Sequence, residues 1–171
     1  EARATAQLNH PNIVSVHEVG EENGVPFIVN TFVDGVSLDE WLENHPLSPQ
    51  DAARLCIKVC EAIEHAHQQN VIHRDIKPSN IMIDASGNPH VMDFGLAKHQ
   101  VEASMSIEGK MLGTPAYMSP EQARGESEKV DSRSDVYSLG VVLFELLTGE
   151  RPFRGSSQML IHQVLYDDSP S

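Results

Sequence analysis

The stretch His73-Arg74-Asp75-Ile76-Lys77-Pro78-Ser79-Asn80 sets a carboxylate, an ammonium and a carboxamide within six residues of one another. A positioned carboxylate can take the proton of a reacting hydroxyl. A cation two residues on can neutralise an anion beside it, and a carboxamide oxygen can ligate a hard metal ion. A loop that tight could turn all three toward one point. Thirteen residues beyond Asn80, Asp93-Phe94-Gly95 offers a second hard-oxygen ligand followed by a flexible glycine. Mg²⁺ takes oxygen ligands and keeps phosphate and water in its shell, so one Asp with one Asn suits it.

The surrounding chain must hold these groups in place. Residues 1–8, with Ala2, Ala4, Ala6 and Leu8, predict the end of a helix that breaks at His10-Pro11-Asn12. Residues 13–19 and part of 25–33 alternate apolar and polar with Asn23-Gly24 near the turn, which predicts a hairpin. Ser37 with Glu40 three residues later predicts a capping box and a short helix through Trp41 and Leu42. Ser48 and Pro49 open a longer helix to about Gln69, with Ala52, Leu55, Cys56, Val59, Cys60, Ile63 and Ala66 expected on its buried face. Tiny strands are expected at 71–72, 81–83 and 91–92, with a turn at 84–88 between the last two. Residues 95–118 show no period and read as a long loop, a length usually kept for function. A strongly apolar helix is expected over 135–147, stopped by Gly149, and a weaker one over 156–165. Strand-rich sequence followed by helix-rich sequence predicts an α+β fold with two lobes and chemistry in the polar loops between.

The 171 residues are 40% apolar and 22% charged, which suits one globular domain with a real core. The formal net charge of -13 repels polyphosphate, so no nucleic-acid partner is expected. A small phosphate-bearing ligand escapes that objection, because its site needs only a few local cations and a metal. Cys56 and Cys60 have no second pair to complete a zinc site and are expected as buried thiols in a reducing compartment. The nine histidines follow no zinc-binding pattern. The longest apolar run, Val141-Val142-Leu143-Phe144, is too short to span a bilayer. The chain opens at Glu1 in mid-pattern and without a starting Met, so more sequence is expected upstream.

Taken in order, His-Arg-Asp-x-Lys-Pro-x-Asn at 73–80, Asp-Phe-Gly at 93–95, Gly-Thr-Pro-Ala-Tyr-Met-Ser-Pro-Glu at 113–121 and Ser-Asp-Val-Tyr-Ser-Leu-Gly at 134–140 resemble the protein kinase family, more narrowly the bacterial Ser/Thr kinases of eukaryotic type. The resemblance covers the whole chain and implies a kinase-like fold. Residues 1–36 would be a remnant of the small β lobe, with a helix end, two strands and the hinge. Residues 37–171 would be most of the helical C-lobe. ATP, Mg²⁺ and protein substrates with Ser or Thr follow from the resemblance.

Roles carry over residue by residue. Asp75 matches the base, Lys77 the cation on the transferred phosphoryl group, and Asn80 and Asp93 the two Mg²⁺ ligands. Thr114 matches the threonine that ties the substrate loop to the base, and with Lys77 it implies a Ser or Thr acceptor. Thr31 and Val33, with Asn30 and Phe32, align with the hinge, and Met82 with the residue that packs under adenine. Glu1 matches the helix glutamate that pairs with a strand lysine; that lysine and the Gly-rich loop are expected upstream. Arg74 with Lys98 resembles a pocket for a phosphorylated loop, with Ser104 and Ser106 as candidate phosphosites. Asp135 is expected to brace the catalytic loop, and the late Arg that normally pairs with Glu121 has no counterpart here. Asn30 departs from the usual large apolar residue, Thr31 from a common hinge acid. Ser37 and Ser79 are neutral where kinases preferring basic substrates often carry acids, although Glu145 keeps one such carboxylate. The segment is expected in the cytoplasm, whether or not the whole protein is membrane-tethered. The competing reading is a binding module of degenerate kinase type, disfavoured because such proteins usually lose one of Asp75, Lys77, Asn80 or Asp93. The piece by itself, without half of the ATP cleft, is expected to be inactive.

Overall fold

A computed structural model describes residues 7–94, 115–168 and 170. The expected hairpin is present: strand β1 (Val16–Glu22) runs antiparallel to β2 (Val25–Asn30) through a turn at Asn23-Gly24, both with positive φ. A bulge at His17 shifts the register between Val16 and Glu18. A second sheet has the order β3-β4-β5, built from Gly35–Ser37, Ile81–Asp84 and Pro89–Val91, all antiparallel. Asp84 shapes the β4–β5 turn, where its Oδ1 accepts the backbone N–H groups of Ser86 and Asn88. The segment leading into β1 is tied to β5 by main-chain bonds from Val14 N to Val91 O and from Val91 N to Asn12 O.

Helix α1 (Leu38–Leu42) follows β3 directly, and here one expectation fails. The Ser37 side chain makes no cap hydrogen bond, because Ser37 is also the last residue of β3 and pairs with Met82. Strand geometry wins over capping there. Helix α2 (Pro49–Gln68) starts as expected, with Ser48 Oγ accepting from Asp51 N and Pro49 in the first turn. Its buried stripe is Ala52, Leu55, Val59, Ala62, Ile63 and Ala66. The cysteines depart from expectation: Cys56 is half-buried and Cys60 exposed, with the two sulfurs 3.9 Å apart. The hydrogen bond between the two sulfurs draws the Cys60 thiol down to about 7 and pushes Cys56 up. Residues 71–72 form no strand; Val71 N instead bonds Ala66 O at the end of α2.

After residue 114, Pro115–Tyr117 makes one 3₁₀ turn and α3 (Pro120–Ala123) begins in a capping box of Ser119 and Gln122. Helix α4 (Ser132–Thr148) begins a turn earlier than its apolar pattern suggested. The N-cap, Asp131, accepts from Arg133 N, so the polar first turn is helical by capping rather than by burial. It ends at Gly149 in the left-handed region. Helix α5 (Ser157–Tyr166) closes the described chain. Leu139, Val142 and Leu146 of α4 share one core with the α2 stripe and with Ile76, Ile81, Ile83, Val91 and Phe94. That core lies directly beneath the 73–94 stretch. A smaller cluster joins Ala116 and Phe153 to Leu160 and Val164.

Candidate active site

The stretch 73–80 is held at three levels. At its base, Asp135 is 1% exposed and receives the backbone N–H groups of His73 (2.9 Å, at Oδ2) and Arg74 (2.8 Å, at Oδ1). His67 Nε2, from the last turn of α2, also donates to Asp135 Oδ2 at 2.7 Å. The central helix thereby grips the loop by its main chain, which side-chain substitutions in the loop leave intact. Arg74 takes φ 69, in the left-handed region, and its carbonyl accepts from Gln122 Nε2 at 2.6 Å. Such strain persists only where neighbours over-determine it.

One step up, His73 is completely buried. Its Nε2 meets the carbonyl of Met92 at 2.9 Å and its Nδ1 accepts from Asp75 N at 3.2 Å. The carbonyl accepts, so Nε2 carries the hydrogen and Nδ1 is bare. Burial holds the ring pKa below its ordinary value, consistent with that neutral tautomer. One imidazole therefore joins the Asp75 backbone to the residue before Asp93. Phe94, 3% exposed, lies against the same ring at a centroid distance of 4.6 Å. Met92 N donates to Asn80 O at 3.0 Å, a second tie between the two segments.

At the surface of this scaffold sit the chemical groups. Asp75 Oδ2 accepts from Lys77 Nζ at 2.7 Å and from Asn80 Nδ2 at 3.0 Å, and Asn80 Nδ2 also bonds Asp75 O at 2.7 Å. The Asn80 amide hydrogens are thus used inward. Its Oδ1 makes no hydrogen bond among the described residues, and neither does Asp75 Oδ1. Asp93 takes φ 64 and is half-buried. Burial raises its carboxyl pKa, with Asp75 adding to the rise and Lys77 opposing it. A buried acid that resists ionising is stabilised by a cation. The donor set of one carboxamide oxygen and one carboxylate fits a hard divalent ion that keeps most of its shell for water and phosphate.

The remaining sequence-derived residues lie further out. Thr31 is exposed and is fixed by Thr31 N to Ser15 O (2.9 Å) and His17 Nε2 to Thr31 Oγ1 (2.9 Å). Val33 is half-buried two residues before β3, and Met82 on β4 pairs with Ser37 of that strand. Asn30 Oδ1 is buried with no hydrogen-bond partner among the described residues, at the start of the connection to β3. Glu1, Lys98, Thr114, Ser104 and Ser106 lie outside the described residues. Glu145 is not a free carboxylate, since Tyr117 Oη donates to its Oε2 at 2.6 Å. Glu121 accepts from Ser134 Oγ. Sequence reading missed His67, Gln122 and Ser134. Only Gln122 had a local signal, the Ser-x-x-Gln spacing from Ser119; the other two act across 68 and 13 positions of chain.

A profile of the protein kinase domain matches residues 1–169. The chain belongs to the protein kinase domain family. It is 46% identical over 162 residues to the serine/threonine-protein kinase PrkC of Bacillus subtilis, covering 94% of this chain and 25% of that protein. It is likewise 46% identical over 167 residues to the serine/threonine-protein kinase PknB of Mycobacterium leprae, covering 94% of this chain and 26% of PknB. The kinase-domain chain thus spans about a quarter of the length of the curated relatives it matches. Among solved structures, the PknI kinase domain of Mycobacterium tuberculosis superposes with a TM-score of 0.73 at 26% identity, over 89% of this chain and 56% of that one. The mixed helix and strand content described above is therefore the kinase-like α+β fold. No helix of the described residues is long and apolar enough to cross a membrane.

Proposed function

We propose that the protein containing this chain transfers the γ-phosphoryl group of ATP to Ser or Thr hydroxyls of other proteins. The observation that carries the reading is the division of labour on Asp75: Lys77 and Asn80 both hold Oδ2, leaving Oδ1 for an incoming hydroxyl proton. Lys77, already beside that carboxylate, also balances the negative charge of the phosphoryl oxygens. Asn80 through Oδ1 and Asp93 would hold Mg²⁺, which supplies charge neutralisation on the triphosphate when bound. His73 and Asp135 touch no reacting atom and act by fixing where Asp75 stands. Thr31, Val33 and Met82 form the proposed adenine site, and Glu1 is assigned to ATP binding by its match to the helix glutamate that pairs with a strand lysine. Lys77 and Thr114 select a Ser or Thr acceptor, and the names of the relatives agree with that class. Arg74 and Lys98 serve a loop phosphorylated at Ser104 or Ser106.

We divide the chain into a small-lobe remnant and a C-lobe piece. The boundary expected after residue 36 is better drawn before Gly35, because Gly35–Ser37 is hydrogen-bonded to β4.

Replacement of the base tests the reading. In the full-length protein, Asp75→Asn should lower incorporation of labelled phosphate by about 10²–10⁴-fold, the usual range for loss of a general base. Unchanged labelling removes Asp75 from that role.

A further inference from the structure

Cys56 and Cys60 take no part in the site above, and they were the one pair whose surroundings reversed expectation. We propose that they form a two-thiolate binding site for a thiophilic divalent metal ion on the outer face of α2. The sulfurs stand 3.9 Å apart, with Cys60 exposed and Cys56 half-buried. Two thiolates on a tetrahedral ion, at a metal–sulfur length of ~2.3 Å, stand ~3.8 Å apart. The pair is therefore already spaced as two corners of such a tetrahedron.

A disulfide is the other bond two thiols could make, and the helix opposes it. Side chains four residues apart on a helix have Cβ atoms ~5–6 Å apart. A disulfide needs ~3.5–4.5 Å, so closing one would unwind the middle of α2. An ion spans the gap without that cost.

The local charges also favour a cation. Glu61 and Glu64 are exposed beside Cys60 and one turn on. The nearby bases are occupied elsewhere: Lys58 Nζ donates to Asn88 Oδ1 at 2.7 Å, and Arg54 pairs with Asp51 at 3.0 Å. Among the described residues no third His, Cys, Asp or Glu joins the pair into a larger cluster. The other corners are then open to water or to a small external thiol. Open corners make the site exchangeable, unlike a closed four-ligand structural zinc site.

Titration of the full-length protein with cadmium chloride tests the proposal, read by calorimetry and by the ultraviolet thiolate-to-metal band. Wild type should take up one equivalent more than Cys60→Ser or Cys56→Ser. The affinity should be on the order of micromolar, below that of four-ligand sites. Each variant should lose that equivalent while its circular dichroism stays unchanged, and Cys60→Ala, at an exposed position, repeats the comparison without a hydroxyl. Equal uptake by wild type and Cys60→Ser, or no thiolate band at about 100 μM cadmium, overturns the site.

Discussion

Asp135 uses two carboxylate oxygens to receive three donors, the N–H groups of His73 and Arg74 and the ring N–H of His67. Truncation to alanine strands buried donors, each at about 1–3 kcal/mol. Asp135→Ala should therefore cost about 3 kcal/mol or more of unfolding free energy in urea. It should also lower phosphate incorporation, although Asp135 is not placed to meet the substrate. A loss below about 1 kcal/mol would mean that the loop holds itself. His73 gives a prediction in pH. Its folded pKa lies below the ordinary value of 6.5 because of burial. Below that pH the unfolded chain binds a proton that the native ring refuses, so stability is complete above it and falls as pH falls. The slope from this residue is at most about 1.4 kcal/mol per pH unit. Comparing wild type with His73→Gln between about pH 5 and 7 isolates it, because His10, also lowered by burial, is common to both. Parallel curves would contradict a neutral buried imidazole. The chemical residues themselves were legible in sequence, since Asp75, Lys77 and Asn80 lie within six positions. His67 was not, because nothing within one turn of it in sequence announces Asp135.

Secondary elements were read well where side chains act locally. The cap at Ser48, the turn at Asn23-Gly24 and the stop at Gly149 each depend on a neighbour within four residues, and each stands where the pattern put it. Strand β3 was not foreseen, and Ser37 was assigned to a cap that does not form. The reason is pairing: three residues become a strand only because β4 lies alongside, 45 positions later at Met82. Gly35 is the tight point of that pairing. A Cβ added there would come within 2.0 Å of the Ile83 carbonyl oxygen. Backbone cannot swing aside as a side chain can, so Gly35→Ala should force β3 away from β4. The expected cost is upward of about 2 kcal/mol, with a raised KM for ATP if the proposed hinge residues, which lead straight into β3, hold the nucleotide. Gly87→Ala makes the control: φ is 77 but an added Cβ would meet no non-neighbouring atom of the described residues within 4 Å, so about 1 kcal/mol is expected. Similar losses from both, read in urea melts, would show that β3 pairing contributes little.

The molecule as a whole presents one apolar surface to solvent. Residues along β1 and β2 leave Val19, Val25, Phe27 and Val29 between 37% and 65% exposed, and Phe32 is 86% exposed. Apolar surface on that scale normally meets another part of a protein. We expect the isolated 171-residue chain to bind a hydrophobic fluorescent dye strongly and to transfer no measurable phosphate. The full-length protein should bind less dye per chain. Robust autophosphorylation by the isolated chain would refute the expectation. What the sequence by itself determined is the family, the order of the motifs and which residues stand as candidate proton acceptor and oxygen ligands. Those depend on residue types at short spacing, and short spacing survives any fold. Only the tertiary structure decided that α2, through His67, and α4, through Asp135, grip the loop from below, that Tyr117 engages Glu145, and that Cys60 faces outward. Each of these is a meeting of distant segments or a choice of helix face. A one-dimensional pattern records that a helix has an apolar side, and packing alone decides which borderline residue, Ala62 or Cys60, falls within it.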